Sequence, residues 1–232
     1  MREKTEIRPI ADIHTDFKEK FGIPRQSGRA PDLKGLIVFR PEYRNPEALR
    51  GIEEFSHLWL LFDFSMAHTD QWSPTVRPPR LGGNKRLGVF ATRSPFRPNA
   101  IGLSCVRLDG IVKDEENGNC LQVSGVDLLD GTPIYDIKPY IPYADCRPEA
   151  AGSYADVHAE DAVEVRFPQE LLDKVPEKKQ AALLQCLKDN PCPQYQHNPE
   201  RIYKMSYADM DIHFRVGDGI LTVCDVLPGE KG

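Results

Sequence analysis

The stretch that decides the fold is FSHLWLLFDF at residues 55–64, in which seven of ten side chains are large and apolar. A run this short and this aromatic favours a strand covered on both faces. Further short apolar runs surround it, at residues 34–40, 88–92, 101–108 and 120–127. Glycine, proline and asparagine turn signals separate the runs, and no helical pattern is interleaved with them. The sequence therefore predicts a barrel or sandwich and argues against a doubly wound parallel sheet.

The composition changes after residue 143. Residues 144–161 are rich in alanine, proline and acidic side chains, which predicts a linker. Leucines then recur at helical spacing over residues 168–190, with Pro176 dividing two predicted helices, and alternating segments follow from residue 201. We expect a mainly β chain, with a small β-barrel domain over residues 1–145 and a small α+β domain over residues 146–232.

Composition also narrows the class of protein. Hydrophobic residues make up 40% and charged residues 28% of the 232, a balance typical of a soluble globular protein. No apolar run approaches the roughly 18 residues that span a bilayer, and the N-terminus leads into no hydrophobic segment. We therefore expect a cytoplasmic protein without membrane contact. The six cysteines are scattered, which predicts reduced thiols and no metal site.

The charge is distributed unevenly. Residues 1–144 hold 20 basic and 19 acidic side chains, whereas residues 145–232 hold 10 and 16. No acidic residue lies between Asp70 and Asp109, a window that contains seven lysines and arginines. Like charges in such a window repel one another unless an anion or distant carboxylates neutralise them. An anionic ligand or nucleic acid and an internal set of ion pairs both remain open.

Common ligand motifs are missing. The chain has no G-x-G-x-x-G after a strand, no G-x-x-x-x-G-K-[ST], no H-E-x-x-H and no G-x-S-x-G. The dense segment is instead residues 76–104, where Arg93 and Arg97 flank a Ser-Pro-Phe turn and could grip a carboxylate or phosphate. Phe96 offers a stacking surface there and Asn99 a polar contact. A stiff basic hairpin without a ligand is the alternative, as is a structural hairpin for residues 127–140. His57 and His68 have no partner at metal-ligand spacing, so we expect structural roles for both.

Several of these segments together are similar to a known family. KEKF (18–21), PRQ (24–26), GIEEFSHLW (51–59), RPPR (77–80), GVFATRSPFRPN (88–99), DGTP (130–133) and DIKPY (136–140) resemble the TsaA-like family, and the whole chain resembles its bacterial TrmO-type tRNA methyltransferases. The resemblance is strong over residues 5–145 and weaker beyond them. It implies a β-barrel enzyme that uses S-adenosyl-L-methionine and methylates N6 of N6-threonylcarbamoyladenosine beside the anticodon of threonine tRNA. It also implies a homodimer with the cofactor near the subunit interface.

The resemblance implies site residues as well. The cofactor-binding residues it implies are Pro24, Arg25, Gln26, Phe64, Ser65, Arg93, Leu103, Asp130, Gly131, Thr132, Pro133, Ile134 and Tyr135. Because the N6 nitrogen is a poor nucleophile, we expect Asp136 or Asp130 to accept its proton, with Arg97 and Asn99 orienting the base or its threonyl carboxylate. We assign Arg77, Arg80, Lys85 and Arg86 to tRNA phosphates.

Two questions stay open at this point. The alternative to the enzyme is a non-catalytic barrel that binds RNA or a nucleotide. The acidic C-terminal region either contacts tRNA through local basic residues, namely Lys178, Lys179, Arg201 and Lys204, or packs against the barrel and shapes its site.

Overall fold

A computed structural model describes residues 5–78, 85–157, 161–192, 198 and 200–229. The strands are β1 (Ala11–Thr15), β2 (Lys34–Phe39), β3 (His57–Asp63), β4 (Thr75–Val76), β5 (Leu87–Gly88), β6 (Ile101–Asp114), β7 (Gly118–Ser124), β8 (Thr132–Pro139), β9 (Glu164–Arg166), β10 (Tyr203–Tyr207), β11 (Met210–Gly217) and β12 (Ile220–Pro228). The α-helices are α1 (Pro142–Asp145), α2 (Tyr154–Val157), α3 (Gln169–Leu172) and α4 (Glu177–Lys188). Short 3-10 helices cover Pro41–Tyr43, Pro46–Leu49, Ile52–Glu54 and Val89–Ala91.

Six strands form an antiparallel barrel in the order β1-β2-β7-β6-β3-β8, and β8 pairs back onto β1. Period-two alternation explains the two faces of each strand. In β6 the side chains of Ser104 and Val106 are buried, whereas those of Ile101 and Leu103 are exposed. Gly102 lies between them because the Phe62 ring occupies its Cβ position, 2.2 Å away. The interior is thus filled by side chains, as expected for a barrel of this size.

The strand register places three loops at one end of the barrel. Thr15 pairs with Gly35, Asp63 with Ile101, and the end of β7 lies beside the start of β2. The loops that leave this end are residues 16–33, 64–100 and 125–131. We call it the loop end; it gathers residues that are far apart in the chain.

The second unit is a four-stranded sheet of order β10-β11-β12-β9, in which β9 is parallel to β12, with α4 beside it. Residues 16–33, named the bridging segment, lie between this sheet and the barrel. The ring of Phe17 contacts that of Tyr207 at 5.4 Å, and Phe21 stacks on Phe214 at 6.2 Å. One continuous hydrophobic core therefore runs from the barrel into the C-terminal sheet.

The structure confirms the predicted mainly β chain and the division of residues 168–190 at Pro176, which directly precedes α4. The strand predicted at residues 88–92 is wrong, because after Gly88 the chain turns into a 3-10 helix closed by the Thr92 amide on the Val89 carbonyl. The linker predicted at residues 144–161 contains α2. Within the described residues, no helix is both long and apolar enough to cross a membrane.

Candidate functional site

Two of the three loops meet directly at the loop end. The Arg93 guanidinium donates a hydrogen bond to the side-chain oxygen of Gln26. The Cys105 amide donates to the Ser27 hydroxyl at 3.2 Å, which attaches the same part of the bridging segment to β6. Gln26 and Arg93, both predicted to bind the cofactor, are thus adjacent in space.

Asp127 joins the third loop to this cluster. Its carboxylate accepts a hydrogen bond from the Ser104 hydroxyl at 2.6 Å. Burial raises the pKa of Asp127 to about 6, while the bonds from Ser104 and the Ser27 amide and the charge of Arg93 act in the opposite direction. Sequence reasoning assigned Asp127 no role, although an acidic residue shortly after a buried strand is a usable signal. The loop end therefore holds a guanidinium and a carboxyl group with a raised pKa.

The bridging segment is fixed by the C-terminal unit. The Arg25 guanidinium donates to the carbonyls of Asn190 and Cys192, each at 3.1 Å. Asp189, whose side chain is 5% exposed, accepts from the Arg25 amide at 3.3 Å and pairs with Arg29 at 2.7 Å. The predicted cofactor ligand Arg25 thus directs its guanidinium at the C-terminal unit, and Pro24 is buried beside it. Gln26 is the exposed member of the predicted trio.

These contacts show that the acidic C-terminal unit packs against the bridging segment, in keeping with the second of the two alternatives, whereas a tRNA contact through its basic residues stays a prediction. Two of its lysines proposed for tRNA have carboxylate partners instead: Lys179 pairs with Asp16 and Lys204 with the buried Asp211. Arg201 lies over the ring of Tyr203, 5.0 Å from its centroid.

The predicted turn at residues 130–135 is tied to the end of β1. Asp130 accepts from the Thr15 amide at 3.0 Å and lies 3.2 Å from His14 Nδ1. The exposed Gly131 donates its amide to the Ile13 carbonyl at 2.8 Å and has a φ of +72°, which favours glycine. The remaining side chains of this turn differ in their exposure to solvent. Thr132 and Ile134 are buried and Pro133 is half-buried. The side chain of Ile134 is completely enclosed in the barrel, so the cofactor contact predicted for Ile134 stays a prediction that concerns its backbone.

Tyr135 occupies a bulge beside the end of β3. Leu61 pairs with Asp136 and Phe62 with Ile134, so Tyr135 is the extra residue. Burial and the neighbouring Asp63 carboxylate raise the pKa of Tyr135.

His68 binds the same Asp63 carboxylate through Nε2 at 2.8 Å, in keeping with the structural role expected for it. The predicted cofactor residues Phe64 and Ser65 follow Asp63 directly in the chain. The Phe64 ring packs edge-on against Phe62 at 5.1 Å, and Ser65 is exposed. Asp63 is therefore a second acidic residue that sequence reasoning left without a role.

Leu103 and Asp136 lie on the outer face of the barrel rather than among the loops. They flank Leu61 in one row across β6, β3 and β8. Leu103 is 51% exposed, and Asp136 pairs with Lys138 at 2.9 Å.

The other two residues expected to contact the substrate lie on the 64–100 loop. The Arg97 guanidinium donates to the Thr92 carbonyl at 3.1 Å and thereby holds the Ser-Pro-Phe turn closed. Asn99 is exposed. The structure does not place either side chain against Asp136 or Asp130, so their joint action stays a prediction.

Three of the basic residues assigned to tRNA directly flank the small ladder of β4 and β5. Arg77, Lys85 and Arg86 are exposed, and Arg86 donates to the Thr75 hydroxyl at 3.3 Å. Arg80 lies outside the described residues. Within the described part of the chain, no group of three or more His, Cys, Asp or Glu side chains could hold a metal ion.

The barrel brings a guanidinium and a carboxyl group together at one end, beside the exposed basic side chains of the 64–100 loop. Such a site is typical of the class of proteins that bind polar, nucleotide-like ligands. Comparison with known proteins narrows this class. The family model of the tRNA-methyltransferase O N-terminal domain matches residues 12–146, and that of the TrmO C-terminal domain matches residues 160–229. The chain belongs to the tRNA-methyltransferase O family.

Individual relatives cover nearly the whole chain. An Escherichia coli protein named tRNA (adenine(37)-N6)-methyltransferase is 40% identical over 221 residues, which is 92% of this chain and 94% of that protein. The Pseudomonas aeruginosa protein RcsF, whose name provisionally ascribes to it an S-adenosylmethionine-dependent methyltransferase activity, is 43% identical over 97% of this chain and 98% of its own length. A crystal structure of TrmO from Pseudomonas aeruginosa superposes with a TM-score of 0.80 at 37% identity and covers 99% of both chains.

Proposed function

We propose that the protein is an S-adenosyl-L-methionine-dependent tRNA methyltransferase that acts on N6 of the adenosine next to the anticodon, in the form of N6-threonylcarbamoyladenosine in threonine tRNA. The observation that carries the proposal is the match to the Escherichia coli tRNA (adenine(37)-N6)-methyltransferase along nearly the full length of both chains. A tRNA substrate implies work in the cytoplasm, and the family resemblance implies a homodimer.

The residues at the loop end fit S-adenosyl-L-methionine chemically. Arg93, whose guanidinium has a neutral amide as its contact, suits the methionine carboxylate. The partly buried Asp127 carboxylate suits the amino group or the sulfonium, a role added here to those expected from the sequence. Phe64 offers apolar surface for adenine, as does the exposed Leu103 on the adjoining outer face of the barrel, with Gln26 and Ser65 as polar contacts.

When bound, S-adenosyl-L-methionine supplies an electrophilic methyl group. The chain's own task is then to position the acceptor and to take up its proton, because methyl transfer depends on aligning the two reactants. Asp136 or Asp130 accepts the N6 proton, while Arg97 and Asn99 orient the base or its threonyl carboxylate. Asp130 is held in place by the Thr15 amide, whereas Asp136 lies on the outer barrel face beside Lys138.

The reaction is tested by incubating the full-length protein with methyl-labelled S-adenosyl-L-methionine and two tRNA pools. One pool carries N6-threonylcarbamoyladenosine, and the other comes from cells unable to make it. We expect label only in the first pool. No transfer to either pool, with cofactor binding shown separately by calorimetry, would overturn the proposal and favour the non-catalytic binding protein.

The proton acceptor is tested by comparing Asp136→Asn and Asp130→Asn in single-turnover methyl transfer. Loss of the acceptor lowers the rate by about 10²–10⁴-fold, while calorimetry shows whether cofactor affinity is kept. Asp109→Asn serves as a control, because Asp109 is a barrel carboxylate that is ion-paired with Lys34 and Arg107 and has no role assigned in the reaction. Wild-type turnover in either variant, with the cofactor bound, removes that residue from the mechanism.

A further inference from the structure

Two aromatic side chains stand exposed and in contact on the 64–100 loop. Trp72 is 49% exposed and Phe90 is 73% exposed, and their ring centroids are 6.0 Å apart at an interplanar angle of 36°. The buried Val89 holds them together, because its amide donates to the Pro74 carbonyl at 3.0 Å. The same short backbone connection therefore supports both rings, and both rings remain exposed to solvent.

The surroundings of this ring pair are strongly basic. No acidic residue occurs from position 71 to position 108. The neighbouring ladder of β4 and β5 carries Arg77, Lys85 and Arg86, and none of the three forms an ion pair with a described residue. Open aromatic faces beside unpaired cations are the combination that binds single-stranded nucleic acid, in which bases stack on the rings and phosphates meet the charges.

We propose that Trp72 and Phe90 form a platform on which an unpaired base of the anticodon loop stacks, next to the adenosine that is methylated. This inference rests on the proposed function, which it deepens by naming how the RNA loop is held. Phe90 precedes Arg93 by three residues, a span of at most about 10 Å. Because Arg93 contacts Gln26 in the candidate site, the platform lies close to that site along the same loop.

The charges favour RNA over a second copy of the chain as the occupant of this surface. A twofold interface places the same patch of both subunits together. Such an interface at the platform would bring two sets of uncompensated arginines and lysines into proximity, which electrostatic repulsion opposes.

The test measures binding of a synthetic anticodon stem-loop to the full-length protein by fluorescence anisotropy. We expect Trp72→Ala and Phe90→Ala each to weaken binding by about tenfold. Trp72→Phe keeps a ring and loses at most about threefold. Because stacking is not ionic, the dependence of log Kd on log salt concentration should keep its wild-type slope in all three variants. Tyr143→Ala is the matched control, since Tyr143 is 89% exposed and lies on α1.

Three further measurements distinguish loss of the platform from other effects of the substitutions. Cofactor affinity, the thermal midpoint and the oligomeric state should equal those of the wild type. Unchanged stem-loop affinity in both alanine variants would overturn the platform, and so would a change in oligomeric state, which would assign the surface to a second copy. Ring-dependent stem-loop binding without methyl transfer by the wild type would refute the proposed function alone. Methyl transfer with ring-independent binding would refute the platform alone.

Discussion

The bridging segment and the 64–100 loop leave the same end of the barrel, yet they are built in opposite ways. The first is held on both sides: Ser27 bonds to the barrel, and Phe17, Phe21 and Arg25 contact the C-terminal unit. The second exposes Trp72, Phe90 and a set of basic side chains. One wall of the candidate site is therefore fixed by packing, while the other presents contact groups to a large substrate.

The largest effect is expected from a substitution in the bridging segment, which forms the wall that is fixed by packing. Gly22 has a φ of +99°, and a Cβ there would lie 2.2 Å from the Met205 sulfur. Gly22→Ala should therefore lower the free energy of unfolding by about 3 kcal/mol, measured by urea denaturation. Gly28→Ala is the control, because Gly28 also has a positive φ, +78°, but open space around it. Equal losses in the two variants would show that the packing of the bridging segment contributes nothing beyond backbone strain.

The next effect concerns the buried ion pair that joins the wall to the C-terminal unit. Asp189→Ala leaves the Arg29 guanidinium and the Arg25 amide without their carboxylate, which should cost about 2 kcal/mol. Cofactor affinity, measured by calorimetry, should fall as well, because Gln26 loses its support. Asp225→Ala removes an exposed partner of Lys174 and should leave the unfolding midpoint unchanged. If it shifts the midpoint as much as Asp189→Ala does, burial of the pair is not the cause.

The third prediction concerns Asp127, whose carboxyl group is influenced by Ser27 of the bridging segment and by Arg93 of the 64–100 loop. Its folded pKa of about 6 lies above the unfolded value of about 3.8, so the folded state binds more protons between these pH values. Its contribution therefore destabilises the fold progressively as the pH rises from about 4 to about 6. Asp127→Asn removes that penalty, and the stability difference between variant and wild type should grow by about 1–2 kcal/mol from pH 4 to pH 7. A difference that is constant across this range would contradict the raised pKa.

The smallest effect on folding is expected on the presenting loop. Arg77→Gln and Arg86→Gln should leave the unfolding midpoint unchanged, because both side chains are exposed. Each should nevertheless weaken tRNA binding and reduce the slope of log Kd against log salt concentration by about one. Arg8→Gln changes the net charge equally on an exposed side chain distant in sequence from the loop. An unchanged slope in both loop variants would return these arginines to a structural role.

Sequence patterns predicted the parts of this protein that depend on local order. Alternation and turn residues gave the mainly β chain, and Pro176 marked the division between α3 and α4. The strand predicted at residues 88–92 failed because the Val89 amide bonds to Pro74, a contact that local alternation does not encode.

The candidate site was harder to predict from sequence patterns, because the residues that contact one another there are distant in sequence. Arg25 and Gln26 are neighbours in one motif, yet only Gln26 faces Arg93. The carbonyl and carboxylate partners of Arg25 lie about 160 residues away. Asp127 became visible only once Ser104 and Ser27 were brought beside it. Motif reading named two segments that the structure brings together, at Gln26 and Arg93, but not the side chains that hold the segments in place.

The bridging segment also sets a condition on the order of synthesis. Lys18 and Asp209, which form an ion pair, are separated by 191 positions. Residues 16–33 therefore leave the ribosome long before the strands that pack against Phe17 and Phe21 exist. A nascent chain that has completed its barrel still has one wall of the site unformed, and it acquires that wall only when β10 and β11 have been translated. Any activity that needs this wall therefore begins only after β10 and β11 have been translated.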